Sequence, residues 1–261
     1  FSILLILFVV LSVNTVFANN DTAIDNVNID CLNNSNDDYK VSYVSETVDK
    51  EVLSANDPKT IVITQDNYEN YFNMLTGKIL DSADISDGDT LKIGNISGRA
   101  FVIDRQLTIM PLNEGDEIKN GFIHLIAGSD GSTVSHMIIN NTKSTLTLKG
   151  ITVGQLHVIW LTNTNNNRIE YNISRIANAA GVYSMPMGWS SNNRIIYNDM
   201  NTYITSNIVM GECHYNLISD NKIEVLSYSD YVVSNLIYFN PFGHADFTGS
   251  GLCVGNTIVN N

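Results

Sequence analysis

The residues of this chain that could carry chemistry are carboxylates and arginines in its second half, and polysaccharide cleavage is the chemistry to test them against, beside the simpler reading of solvated charges on an acidic surface. Hydrolysis of a glycosidic bond needs two or three carboxylates converging on one face. Glu170, Asp199, Glu212, Asp220, Glu224, Asp230 and Asp246 are available, and Asp220 with Glu224 is the most nearly regular pair. Asp220 abuts a turn Asn, however, and Glu224 belongs to the next strand, so neither has a carboxylate partner at matching register. Lyase chemistry would need calcium-binding acids beside a proton-abstracting Lys or Arg. The basic residues after Lys149 are Arg168, Arg175, Arg194 and Lys222. Arg168 and Arg194 each follow the first Asn of a repeated block, which sets them on one outer face near Glu170. No catalytic residue is assigned; Asp220, Glu224 and Arg194 are the candidates to test should activity appear.

Other site chemistries lack their residues. His124, His136, His157, His214 and His244 show no HxH or HExxH spacing, and Cys213-His214 lacks the remaining ligands of a metal site. No glycine-rich loop leads into Lys-Ser/Thr, so nucleotide phosphate has no cradle. The expectation is of no metal and no cofactor. The net charge of −13 leaves no basic stripe for nucleic acid or anionic lipid.

The elements that would position any site are short strands marked by asparagine. Asn167-Ile169-Asn172, Asn193-Ile195-Asn198, Asn216-Ile218-Asn221 and Asn235-Ile237-Asn240 share one spacing, and Asn256-Ile258 begins a fifth block. Block starts fall 26, 23, 19 and 21 residues apart, a repeat of about one solenoid turn. Stacked turns would align Asn172, Asn198, Asn221 and Asn240 as a hydrogen-bonded ladder, with Ile169, Ile195, Ile218, Ile237 and Ile258 as a core column. Ser135-Met137-Asn140 reproduces the spacing with Ser in the first place. Further strands are expected at Thr90–Ile93, Phe101–Ile103, Leu107–Ile109, Phe122–Ile126, Thr145–Leu148 and His157–Leu161. The absence of amphipathic helices between them argues against βαβ units.

Residues 1–18, FSILLILFVVLSVNTVFA, are uncharged and end in Val16-Phe17-Ala18, a signal-peptide pattern incomplete at its start. Residues 19–60 are expected to be an acidic, disordered lead-in. Residues 61–80 are expected to be an N-terminal capping helix region, because Tyr68, Tyr71, Phe72 and Leu75 make one apolar face. Residues 81–261 hold the repeats, with a C-terminal continuation expected beyond Asn261. Asn20, Asn33, Asn95, Asn140 and Asn172 begin glycosylation triplets. Cys213 and Cys253 are expected two turns apart, beyond disulfide reach, with Cys31 in the lead-in.

The NxIxxN blocks, the Gly181-Val182-Tyr183 segment leading into Ser190 to Ile195, and the Asn207 to Asn221 stretch resemble the right-handed parallel β-helix family. This is the pectin-lyase-like superfold, in its NosD-like carbohydrate-binding and sugar-hydrolysis repeat branch. Gly88 to Leu91, Phe101 to Asp104 and Leu107 to Ile109 resemble the opening coils of adhesin-like surface proteins of methanogenic archaea. The resemblance implies an all-β, right-handed single-stranded parallel β-helix with a short N-terminal capping helix. It also implies a secreted or cell-surface, adhesin-like module for structural display, contacting extracellular glycans or proteins. The alternative is a polysaccharide lyase or glycoside hydrolase acting in a groove of the helix. Neither nucleic acid nor nucleotide is expected as a partner, and the sequence leaves the oligomeric state open.

Overall fold

The computed structural model describes residues 57–148, 150–177, 183–202, 207–225, 237–239 and 253–261. The proposed leader, most of the lead-in including Cys31, and Asn240 lie outside the described residues.

Alternating burial begins earlier than expected. β1 (Thr60–Ile63) buries Ile61 and Ile63 and pairs in parallel with β2 (Thr90–Ile93). From β2 onward the chain winds through three strand positions per coil. β3 (Ile96–Ser97) and β4 (Ala100–Ile103) complete the first coil. The second holds β5 (Thr108–Pro111), β6 (Glu117–Lys119) and β7 (Phe122–Leu125). In the third, β8 (Thr133–Ser135) and β9 (Ile138–Asn141) are followed by a hairpin of β10 (Thr145–Leu148) and β11 (Ile151–Gln155), then by β12 (Ile159–Thr162). The fourth holds β13 (Arg168–Glu170), β14 (Ile173–Ile176) and β15 (Met185–Gly188). The fifth holds β16 (Arg194–Ile196), β17 (Asp199–Thr202) and β18 (Ile208–Gly211). The sixth holds β19 (Leu217–Ser219), β20 (Lys222–Val225) and β21 (Ile237–Phe239), and β22 (Thr257–Val259) opens a seventh.

First strands of the coils pair with one another as β1-β2-β5-β8-β13-β16-β19-β22, second strands as β20-β17-β14-β9-β6-β3, and third strands as β21-β18-β15-β12-β7-β4. Every pairing in these three sheets is parallel and in sequential coil order, which defines a β-helix-like solenoid. Only the β10–β11 hairpin is antiparallel among the described strands, so Thr145–Leu148 leaves the coil instead of continuing it.

In-register stacking makes the core a set of columns. In the first sheet one column runs Ile61, Leu91, Ile109, Val134, Ile169, Ile195, Ile218 and Ile258. Ile169, Ile195 and Ile218 are fully buried, and each such side chain contributes about 2–3 kcal/mol by leaving water. Ile237 belongs elsewhere. It pairs with Ile208, in the third sheet. The intervals of 19 and 21 residues are two parts of one coil, since Asn216 meets Asn256 across 40 positions. The same register corrects the block in the third coil: Ser132, not Ser135, lies under Asn167, and Met137 lies under Asn172.

The expected capping helix is reduced to one 3-10 turn, Tyr68–Asn70. Four-residue spacing of Tyr68 and Phe72 arises from this turn and the bridge of Phe72 to Ile79 that follows. Both rings are buried; Tyr68 stacks on Phe72 at 5.2 Å, Phe101 meets both edge-on, and the Tyr68 hydroxyl donates to the Ala100 carbonyl.

Outside the third sheet, Leu146 of the hairpin packs with Val102, Phe122 and Leu156. Beside this patch His124 lies 4.7 Å from the Trp160 ring, with Nε2 2.9 Å from Thr162 Oγ1. Burial lowers the His124 imidazole to about 4.

Candidate functional site

Two ladders of buried asparagines flank the first sheet. In the ladder before it, Ser132 N–H donates to Asn167 Oδ1, Asn167 N–H to Asn193 Oδ1, Asn193 N–H to Asn216 Oδ1 and Asn216 N–H to Asn256 Oδ1, at 2.9–3.0 Å. In the ladder after it, Met137, Asn172 and Asn198 donate in turn to Asn172, Asn198 and Asn221. The next rung is Asn261, which accepts from Asn221 N–H at 3.2 Å. Each side-chain amide also returns a hydrogen bond to the preceding coil: Asn172 to the Val134 carbonyl, Asn198 to Ile169 and Asn221 to Ile195. These bonds use the amide of Asn172 completely, so a glycan on Asn172 is incompatible with this fold.

The ladder fixes the residue before each rung in the left-handed region. His136, Tyr171, Tyr197, Asp220 and Asn260 have φ of 59°, 58°, 58°, 57° and 54°. Such a conformation costs a non-glycine residue about 1–2 kcal/mol and turns its side chain away from the core. The first three therefore form a surface stack: His136 to Tyr171 and Tyr171 to Tyr197 are both 5.1 Å between centroids, with planes 21° and 16° apart. Tyr171 and Tyr197 are 47% and 49% exposed. Asp220 occupies the next place, where Asn260 Nδ2 reaches its Oδ1 at 3.3 Å.

At the His136 end of this stack lies a groove of about 610 Å³. Ile138 and Ile173, register partners in the second sheet, line it with His136 and Tyr171. Pro111 and the loop carrying Glu114 line it as well. That loop is held by Asp116 Oδ2, which accepts from Asn113 N–H and Nδ2, and by Asn95 Nδ2 on Asp116 Oδ1. The arrangement offers an apolar surface, aromatic edges and a carboxylate rim. It suits a ligand that is flat and weakly apolar on one side and hydroxylated at its edge.

The three catalytic candidates are dispersed. Asp220 is in the turn, Glu224 is exposed on β20 in register with Asn201, and Arg194 is exposed on β16 in the first sheet, in register with Arg168. Arg168 pairs with Glu170 at 2.9 Å. Asp199 is held by Arg175 at 2.7 Å and approached by Lys222 at 3.7 Å. Among the described residues no three His, Cys, Asp or Glu are grouped to hold a metal ion.

Register also corrects the cysteines. Cys253 lies one coil from Cys213, its Sγ accepting the Cys213 N–H at 3.4 Å. The 40 positions between them make up a single coil.

The class defined by these features is an all-β, β-helix-like parallel solenoid with a surface aromatic stack beside a shallow groove. No protein-family model, curated protein or solved structure matches the chain.

Proposed function

We propose that this chain is a secreted or cell-surface, adhesin-like module that displays a long face and binds extracellular glycans weakly along it. The observation that carries the reading is the groove between Pro111, Glu114 and the His136–Tyr171 stack. A pyranose ring presents C–H groups on one face and hydroxyls around its edge. Ile138 and Ile173 would meet the former and Glu114 the latter. The stack itself is less suited to the sugar face, because Tyr171 and Tyr197 cover one another; the His136 end of the groove is the proposed contact. Repetition of shallow contacts along a solenoid would yield avidity from weak sites. In this reading the coil is right-handed, the sense favoured for parallel crossovers, and of pectin-lyase-like lineage. Residues 1–18 would direct export.

Glycan-array binding by the folded chain tests the proposal. Binding to a subset of polysaccharides, lost in His136→Ala and Tyr171→Ala with unchanged far-UV circular dichroism, is the expected result. A flat array for the parent protein would overturn it.

A further inference from the structure

Cys213 and Cys253 occupy one position in successive coils. The rung that sets Asn256 on Asn216 also sets the residues three before them together: Cys213 N–H donates to Cys253 Sγ, and Asn256 Nδ2 donates to the Cys213 carbonyl at 2.7 Å. Matched positions in adjacent coils are separated by about one strand spacing, roughly 4.8 Å. Disulfides span Cα separations of roughly 4.4–6.8 Å. Both thiols are free in this structure, Cys213 buried and Cys253 partly exposed.

The column beneath them shows that hydrogen bonding alone does not require sulfur here. Ser129 Oγ and Thr164 Oγ1 lie 2.9 Å apart, and Thr164 N–H donates to Ser190 Oγ at 3.4 Å. A hydroxyl accepts the neighbouring coil's N–H at Ser190 as sulfur does at Cys253. Sulfur in two consecutive positions adds what serine lacks, the capacity to be oxidised as a pair.

We infer that Cys213 and Cys253 are a redox site that closes into an intercoil disulfide. With a low-molecular-weight disulfide as oxidant, the partly exposed Cys253 thiolate attacks one of its sulfurs and displaces one thiolate. Cys213 then loses its proton, and its sulfur attacks Cys253 Sγ, displacing the second thiolate. One S–S bond is broken and one formed, two cysteine protons are released to the departing thiolates, and two electrons pass to the small disulfide. Cys213 must give up its hydrogen bond to the Gly211 carbonyl, 3.3 Å, to rotate toward its partner. Burial pushes the Cys213 thiol up to about 12, so its attack accelerates as pH rises. The bridge spans 40 positions, the longest of the ladder intervals of 35, 26, 23 and 40. Chain-entropy restriction is largest for long closed loops.

The test uses the full chain with Cys31→Ser, equilibrated with oxidised glutathione or with dithiothreitol, then alkylated in denaturant. The expected result is loss of both alkylatable thiols in the oxidised sample, restored by dithiothreitol, with a non-reducing peptide map joining Cys213 to Cys253. Adding Cys213→Ser should stop the reaction at a glutathione adduct on Cys253. Two alkylatable thiols persisting after oxidation of the Cys31→Ser chain would overturn the inference, as would a parent map linking Cys31 to either residue.

Discussion

Asn172 gives both its backbone N–H and its side-chain Nδ2 to a single atom, Oδ1 of Asn198, each at 3.0 Å. Asn198 repeats the arrangement on Asn221, both bonds at 2.9 Å. A buried oxygen that accepts twice while its own amide donates to both neighbouring coils demands both halves of the asparagine side chain.

Asn198 should therefore tolerate neither loss nor charge. Asn198→Ala leaves Asn172 N–H without its acceptor and takes one of the hydrogen bonds from the Ile169 carbonyl, and is expected to cost about 2–4 kcal/mol. Asn198→Leu should cost more, by adding crowding. Asn198→Asp keeps the acceptor but faces Asn221 Oδ1 with a second oxygen, and should be worse than Ala at neutral pH. Urea denaturation ranks the variants; equal midpoints for parent and Ala would contradict the ladder's energetic role.

Ile195 and Arg194 are adjacent in sequence and opposite in consequence. Ile195 is fully buried between Ile169 and Ile218, so Ile195→Ala is expected to lose about 2–5 kcal/mol. Arg194 is exposed, and Arg194→Ala should fall within about 0.5 kcal/mol of the parent. Comparable thermal shifts in the two variants would refute the assigned facing of β16.

His124 predicts an acid-side loss of stability. Its folded value of about 4 lies below the ordinary 6.5, so between those limits the unfolded chain binds the proton and the folded chain does not. Its contribution is complete above pH 6.5 and declines as pH falls toward 4, by at most about 3 kcal/mol. His124→Gln, which keeps a polar contact toward Thr162, should flatten this part of the profile. Parallel stability curves for parent and variant across that window would rule the effect out.

Two glycines with positive φ separate strain from crowding. Gly128 has φ +100°, and a Cβ there would lie 2.3 Å from the Asp104 carbonyl oxygen; Gly115 has φ +87° and nothing within 4 Å. Gly115→Ala should cost only the conformational penalty, about 1 kcal/mol. Gly128→Ala should cost about 3 kcal/mol or more, because backbone must move. Melting temperatures measured side by side decide the matter.

Stacked turns were legible because a ladder requires the same residue at the same turn, and the Asn167, Asn193 and Asn216 blocks obey that rule. The Asn235 block shares the local spacing, but its Ile237 belongs to a strand of the third sheet, and spacing within six residues cannot report which wall of a coil a strand occupies. Coil length varies from 18 positions, Leu91 to Ile109, to 40, Ile218 to Ile258, so an average period reports neither the wall that Ile237 occupies nor the separation of the cysteines. Thr60–Ile63 carried the alternation of a strand, yet the aromatic spacing that follows it read as helix. The His136, Tyr171, Tyr197 stack had one available signal, its position immediately before each rung of the second ladder. The rim of the groove was hidden because the loop after Pro111 has no counterpart of similar length in the next coil.

The ladders also make the molecule directional. Each rung's oxygen serves donors of the coil before it, so a missing rung strands amide protons on its N-terminal side and only idles acceptors' returns on the other. Damage at Asn198 should consequently speed amide exchange at Asn172 and its strand more than at Asn221. A lesion in this repetitive structure is felt upstream.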